Sequence, residues 1–364
     1  LQVDWFDPLS DDILTPECTD EDKVKTGKDG KKTAWTNLAD GWSSKGNYLY
    51  TFHQKGLALW AGDGLARIRS INHADVAKVQ FSPCERWVVT LSYQQKPSIL
   101  CDVIVSSVLT GEIIVRYNTL HRDQPWPFFK WSSDGNYFAR VSNVKQESNG
   151  KVSFIPKGIA IYDMTKRELF GGKPFPAPGL CDFSFSPVNP GYIAYCAIGQ
   201  NNMPSVVAVH DITTNKQILK APAFGVETWK ISWEGNGSKL LTYMDRRVDK
   251  RNMQHILSVY DMNAKRPAAV TLNLAKPALN VSLSSKTNKI LISSLISEDR
   301  QRYKAEFSVL SCNKKEITNI WSTSLHCSSD VVKNIDASDP EHTITAHFNQ
   351  KFSAAWSPTG NVFY

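Results

Sequence analysis

One pattern recurs along this chain: an aromatic or apolar residue, then Ser or another polar residue, a tight turn, and a hydrophobic strand. The copies are Trp42-Ser-Ser-Lys-Gly46 before YLYTF, Phe81-Ser-Pro-Cys-Glu85 before RWVVTL, Trp131-Ser-Ser-Asp-Gly135 before NYFARV, and Phe185-Ser-Pro before GYIAYCA. Trp233-Glu-Gly-Asn-Gly237, Leu283-Ser-Ser-Lys-Thr287 and Trp356-Ser-Pro-Thr-Gly360 complete the series. Their starts lie 39, 50, 54, 48, 50 and 73 residues apart. A second mark, an apolar strand running into a polar turn, keeps step at Trp60, Ser107, Tyr162, His210, Tyr260 and Leu310. Two marks sharing one period point to a chain built from a repeated supersecondary unit.

A period of about 40 to 50 residues is that of a four-stranded blade of a β-propeller. The physics of each mark agrees. A Ser-Pro-x-Gly turn presets φ at Pro and lets Gly take a left-handed conformation, as a tight strand reversal requires. One blade cannot bury both faces of its own sheet, so Trp42, Phe81, Trp131, Phe185, Trp233 and Trp356 are expected to pack between neighbouring blades. Tyr162-Asp163, His210-Asp211 and Tyr260-Asp261 stand where WD-type repeats place Trp-Asp, before the turn into the outer strand. The expected fold class is all-β, a WD40-like propeller. Six blades and a partial seventh can be counted, with residues 1–40 as a closing strand and a charged loop, blades over 41–364, and an insertion at about 296–350. Six blades and a fragment do not close a ring.

Composition narrows the class further. The 16 Phe, 11 Trp and 12 Tyr, with 20 Gly and 18 Pro spread throughout, favour short strands and turns over long helices. With 41% hydrophobic and 21% charged residues the chain is globular, neither disordered nor collagenous. The longest apolar run, 192–198, is about a third of the roughly 20 residues a membrane helix needs. No basic-then-apolar leader follows Leu1, so a cytoplasmic location is expected. The seven cysteines, at 18, 84, 101, 181, 196, 312 and 327, form no CxxC pair or zinc knuckle and are expected to be reduced.

Catalytic signatures are missing from the text. There is no HExxH, no Walker loop, and no Gly-x-Ser-x-Gly elbow beyond the imperfect Gly41-Trp-Ser-Ser-Lys-Gly46, which a strand turn explains. No catalytic, cofactor-binding or metal-ligating residue is therefore assigned, and no small-molecule substrate or membrane partner. His53 follows a strand beside Lys55 and is read as a hairpin residue rather than a base. His73 resembles the histidine that braces strand turns in WD repeats.

The net charge of +7 permits a polyanionic partner. Basic residues cluster at Arg246, Arg247, Lys250 and Arg251, and again at Arg300, Arg302 and Lys304. Each group follows a hydrophobic strand and is expected in the hairpin between the second and third strands of its blade. There it would meet phosphates or an acidic protein surface.

The strings YLYTFHQKGLALWAGDG, VQFSPCERWVVTLS and WPFFKWSSDGNYFARVS resemble the family of the B subunit of eukaryotic translation initiation factor 3. That family reads Thr-Phe-His-Gln-basic-Gly-aliphatic-Ala-Leu-Trp, then Phe-Ser-Pro-Cys-Glu-Arg-aromatic, then Trp-Pro-x-Phe-Lys-Trp-Ser. Residues 50–60, 81–90 and 126–141 carry the match. Weaker agreement continues through IAIYDMTKREL, CDFSFSP, Asn202-Met-Pro204 and WKISWEGNGSKLLTYMDRR, then fades beyond Ala264. The resemblance implies a nine-bladed propeller between an RNA recognition motif and a helical tail, both outside these 364 residues. It implies a scaffold without catalysis that binds the small ribosomal subunit near the mRNA entry side, alongside the a, g and i subunits of the same factor. Two other readings stand beside it: a propeller like that of initiation factor 2A, and the propeller of a hydrolase such as a prolyl peptidase.

Overall fold

The computed structural model describes residues 38–327, apart from 54, 63, 94–99, 121–128, 149–150, 201, 251, 285, 298–302 and 314–315, with four two-residue strands nearer the N-terminus. Trp356, Arg251, Arg300 and Arg302 lie outside the described residues.

The described chain is all β apart from one short 3-10 turn, and its sheets follow one another in sequence. The first joins Leu38–Trp42, Leu49–His53, Gly56–Ala61 and Ala66–Asn72. The second joins Val76–Phe81, Trp87–Tyr93, Leu100–Ser107 and Ile113–Leu120. Lys130–Trp131, Tyr137–Ser148 and Lys151–Asp163 open the third, whose outer position is divided between Glu168–Leu169 and Phe175–Pro176. The fourth takes Leu180–Phe185, Tyr192–Ala197, Ser205–Asp211 and Lys216–Ala223. In the fifth are Val226–Trp233, Lys239–Arg247, Met253–Asp261 and Ala269–Leu274. Asn280–Leu283, Lys289–Ser297, Tyr303–Cys312 and Ile317–Cys327 make the sixth. Each is an antiparallel meander, the blade plan of a WD40-like propeller.

Two expectations about chain organisation change. Gln2–Val3 pairs with Cys18–Thr19 in a sheet of its own rather than closing a blade, and the first sheet already starts at Leu38. The stretch assigned to an insertion at 296–350 contains the third and fourth strands of the sixth sheet. YKAEFSVLSC pairs with KILISSLIS from Lys289↔Ser311 to Ser297↔Tyr303, because it carries the same strand alternation as the earlier repeats.

The chain divides into two compact units, one of residues 1–140 and 161–172, the other of 141–160 and 173–364. In the first, successive residues serve different cores. Val88 packs with Leu57, Leu59 and Phe81, whereas Val89 packs with Val103, Trp131 and Phe138. The second unit repeats the device: Leu240 joins Val207, Val209 and Trp229, and Leu241 joins Leu257, Leu283 and Ile290. Strand alternation thus gives these two middle strands, Trp87–Tyr93 and Lys239–Arg247, one face toward the sheet before and one toward the sheet after.

Among the described aromatics that open repeats, Phe81, Trp131 and Phe185 are buried. Phe81 is buried with its ring centroid 5.7 Å from that of Tyr50, and Trp131 lies 5.0 Å from Phe138. Phe185 is buried, and half-buried Trp233 donates from Nε1 to Ser184 O at 3.3 Å. Trp42 differs: it is 45% exposed. The Asp of each Tyr-Asp or His-Asp pair caps the turn into the outer strand. Asp163 Oδ1 accepts from Thr165 N at 2.9 Å, Asp211 Oδ1 from Thr213 N at 2.9 Å, and Asp261 Oδ1 from Asn263 N at 3.0 Å.

Candidate interaction surface

The first basic cluster lies where the second and third strands of the fifth sheet turn back. Arg247 pairs with Met253, and Val248 N donates to Asn252 O at 3.0 Å to close the hairpin. Arg246, Arg247 and Lys250 are exposed. Their charges are not equivalent. The Arg247 guanidinium is paired with Glu227, whose carboxylate raises its pKa, and Lys250 follows Asp249, which accepts from Asn252 N at 3.0 Å. Arg246 follows Asp245, whose carboxylate accepts from Thr228, Tyr243 and His255.

The second cluster is not a hairpin cluster at its described end. Lys304 is half-buried inside the strand Tyr303–Cys312, opposite Ile296 on one side and His326 on the other. The hairpin expectation fails for this residue because the strand's alternation extends through it.

Behind the first hairpin lies a polar network that the sequence did not announce. Asp245 accepts from Thr228 Oγ1 at 2.6 Å, from Tyr243 Oη, and from His255 at 2.7 Å. Tyr243 Oη in turn accepts from Ala278 N at 2.9 Å. Burial works against ionising Asp245, but these hydrogen bonds outweigh it and hold the carboxyl below its usual range. Burial and the same carboxylate push the Tyr243 phenol up. Beside them the exposed Lys230 donates to Leu279 O at 2.7 Å. Every group has a partner, so the network fixes the strands that carry the hairpin.

The two histidines singled out in the sequence stand at strand ends, His53 closing Leu49–His53 and His73 following Ala66–Asn72. His73 is buried, with Nδ1 2.7 Å from Thr90 Oγ1 and Nε2 3.4 Å from Asp102 Oδ2; Arg116 also binds that carboxylate, at 2.6 Å. Burial lowers its pKa against the pull of Asp102. His53 ends a strand opposite Gly56, and burial lowers its pKa too. Among the described residues no group of three or more His, Cys, Asp and Glu could hold a metal ion, and no helix is long and apolar enough to cross a membrane.

Comparison with known proteins gives a consistent answer. Over 220 residues, 59% of this chain, it is 32% identical to the B subunit of eukaryotic translation initiation factor 3 from Xenopus laevis. The chain resembles the B subunit of initiation factor 3. The B subunit of Caenorhabditis elegans is 26% identical over 299 residues, 76% of this chain, and that of Bombyx mori is 29% identical over 252 residues, 67% of it. The chain spans 29%, 41% and 34% of those three sequences, less than half of each. No family model matches it. Among solved structures, one described as the crystal structure of the eukaryotic initiation factor aligns with 83% of this chain and 82% of its own. Its TM-score is 0.47 and its identity 13%.

Proposed function

We propose that this chain is the propeller portion of a translation initiation factor of the B-subunit type: a cytoplasmic, non-catalytic scaffold that binds the small ribosomal subunit and other subunits of initiation factor 3. The 32% identity to the Xenopus protein over 220 residues carries the reading. The structure supports it physically. Sheets that spend both faces on their neighbours leave hairpins and outer strands as the surface offered to partners, a rigid display that loses little conformational entropy on binding. The a, g and i subunits are the expected partners, and the ribosomal contact is assigned to Arg246, Arg247, Lys250 and Arg251, with Arg300, Arg302 and Lys304 as the second basic group.

The test is a pull-down of the tagged chain from cytosol, probed for small-subunit RNA and for the other factor subunits. Enrichment of both is expected, and recovery of neither refutes the scaffold reading. Reversing the four charges at 246, 247, 250 and 251 should weaken ribosome binding and flatten its salt dependence. Unchanged affinity and slope would remove that hairpin from the interface.

A further inference from the structure

The fourth sheet and the segment before it line an open cavity of about 430 Å³ in the second unit, a volume within the range of ligand pockets. Four prolines, Pro176, Pro178, Pro204 and Pro222, supply much of its wall. Proline rings are apolar and fixed in φ, so the wall is formed in advance of any occupant. Phe175–Pro176 pairs with Gly158 and Ile159 and leads into the lining residues Ala177 and Pro178. Phe175 then packs edge-on against Tyr195, 5.5 Å between centroids, and backs the cavity.

Three side chains that can hydrogen-bond stand among the lining residues of this mainly apolar space: Tyr195, Gln200 and Lys220. None of these side chains has a hydrogen-bonding or ion-pair partner among the described residues. Lys220 is the sole lining residue that carries a charge at neutral pH. Burial raises the Tyr195 pKa, so its phenol stays protonated and able to donate. An apolar pocket with a cation and a neutral donor fits a ligand that joins an apolar group to a carboxylate.

The surface beside the cavity indicates how long that ligand is. Met203, 70% exposed, lines the cavity, and Phe224 is 62% exposed. The pairing Ser205↔Ala223 brings the segment 203–204 alongside Phe224. A small acid would fill the cavity and leave these side chains in water, whereas an extended chain would cover them as it leaves.

We propose that this pocket docks an acidic, extended peptide segment of a partner protein. One apolar side chain enters among the prolines, a neighbouring carboxylate meets Lys220 and the Tyr195 hydroxyl, and the backbone continues over Met203 and Phe224. The site stands on this geometry and does not depend on the initiation-factor reading.

Fluorescence anisotropy of the full chain tests it with three labelled probes: Gly-Asp-Phe-Glu-Gly, the same peptide with Lys for both acids, and the same peptide with Ala for Phe. The acidic Phe peptide should bind at least about tenfold more tightly than either control. Lys220→Glu should reverse the preference between acidic and basic probes. Val206→Trp, which fills the cavity from a lining position, should abolish binding, with a cooperative melt showing that the variant folds. Equal binding of the acidic and basic probes, an unchanged preference in Lys220→Glu, or full binding to a folded Val206→Trp variant would each overturn the proposal. So would 3-phenylpropionate binding as tightly as the peptide, which would make the pocket a small-acid site.

Discussion

Asn47 donates from Nδ2 to Glu85 Oε2 at 2.7 Å, joining the opening turn of one repeat to the same turn of the next. Glu85 also accepts from Lys45 N, and these bonds hold its carboxyl below the usual range although burial opposes ionisation. Glu85 has φ 58°, whereas the residues in its place in three other copies are Gly46, Gly135 and Gly237 with φ between 70° and 79°. The repeat therefore accepts a strained side chain in return for a link between sheets.

Two opposing effects should separate at this position. Glu85→Ala loses the link and keeps the strain, for about 2–3 kcal/mol of destabilisation; Glu85→Gly loses the link and recovers about 1 kcal/mol of strain. Urea midpoints should rank native, then Gly, then Ala. Because the folded pKa is depressed, the carboxylate's contribution is full above the unfolded value and is lost as pH falls through the folded one. Glu85→Gln should remove that acid-side dependence.

His73 carries a pH signature of the same sign in a higher window. Its folded pKa lies below the reference 6.5, so the unfolded chain binds the extra proton and stability falls as pH drops below about 6.5. Urea midpoints between pH 7 and 5 should show this slope, less of it in His73→Gln. Thr90→Val leaves Nδ1 without its 2.7 Å partner inside the sheet and should cost about 1–3 kcal/mol, while Thr90→Ser keeps the hydroxyl and costs less.

A third comparison isolates backbone crowding. A Cβ on Gly56 would lie 2.0 Å from Ile71 O, at φ +144°; one on Gly62, at φ +82°, would meet nothing within 4 Å. Gly62→Ala should cost about 1–2 kcal/mol and Gly56→Ala more than about 3, read from thermal melts.

Asp245→Asn tests the network behind the basic hairpin. The variant keeps the shape but weakens the bonds from Thr228, Tyr243 and His255, for an expected loss of about 2 kcal/mol. The native carboxylate's share is present above its unfolded pKa and disappears as pH falls through the depressed folded value. A variant losing as much at pH 3 as at pH 7 would contradict this account.

The repeat was legible because each copy needs the same local chemistry, a turn that reverses the chain and an apolar strand behind it. Six successive sheets follow from it. What needed pairing register was hidden. Alternation alone places Tyr243 and Asp245 on one face, but Thr228 and His255 reach Asp245 only through the pairings Thr228↔Asp245 and Asp245↔His255. Lys304 looked like hairpin because basic residues surround it in the text, whereas its place in a ten-residue strand is set by the partner strand. The cavity was invisible for a similar reason. Its lining joins Tyr195, Val206 and Lys220, which only the strand pairings of the fourth sheet bring together, with Pro176 and Pro178 from the segment before it.

The adjacent pair Leu240 and Leu241, facing opposite ways, sets a rule for how such a gene can change. Losing a single codon within 239–247 would invert every later side chain in that strand and spoil two interiors at once. Codons added at 248–250 would lengthen a solvent-side tip and disturb neither. Heritable novelty is thereby channelled to the tips, where a lineage can alter whom the protein meets while its framework stays the same.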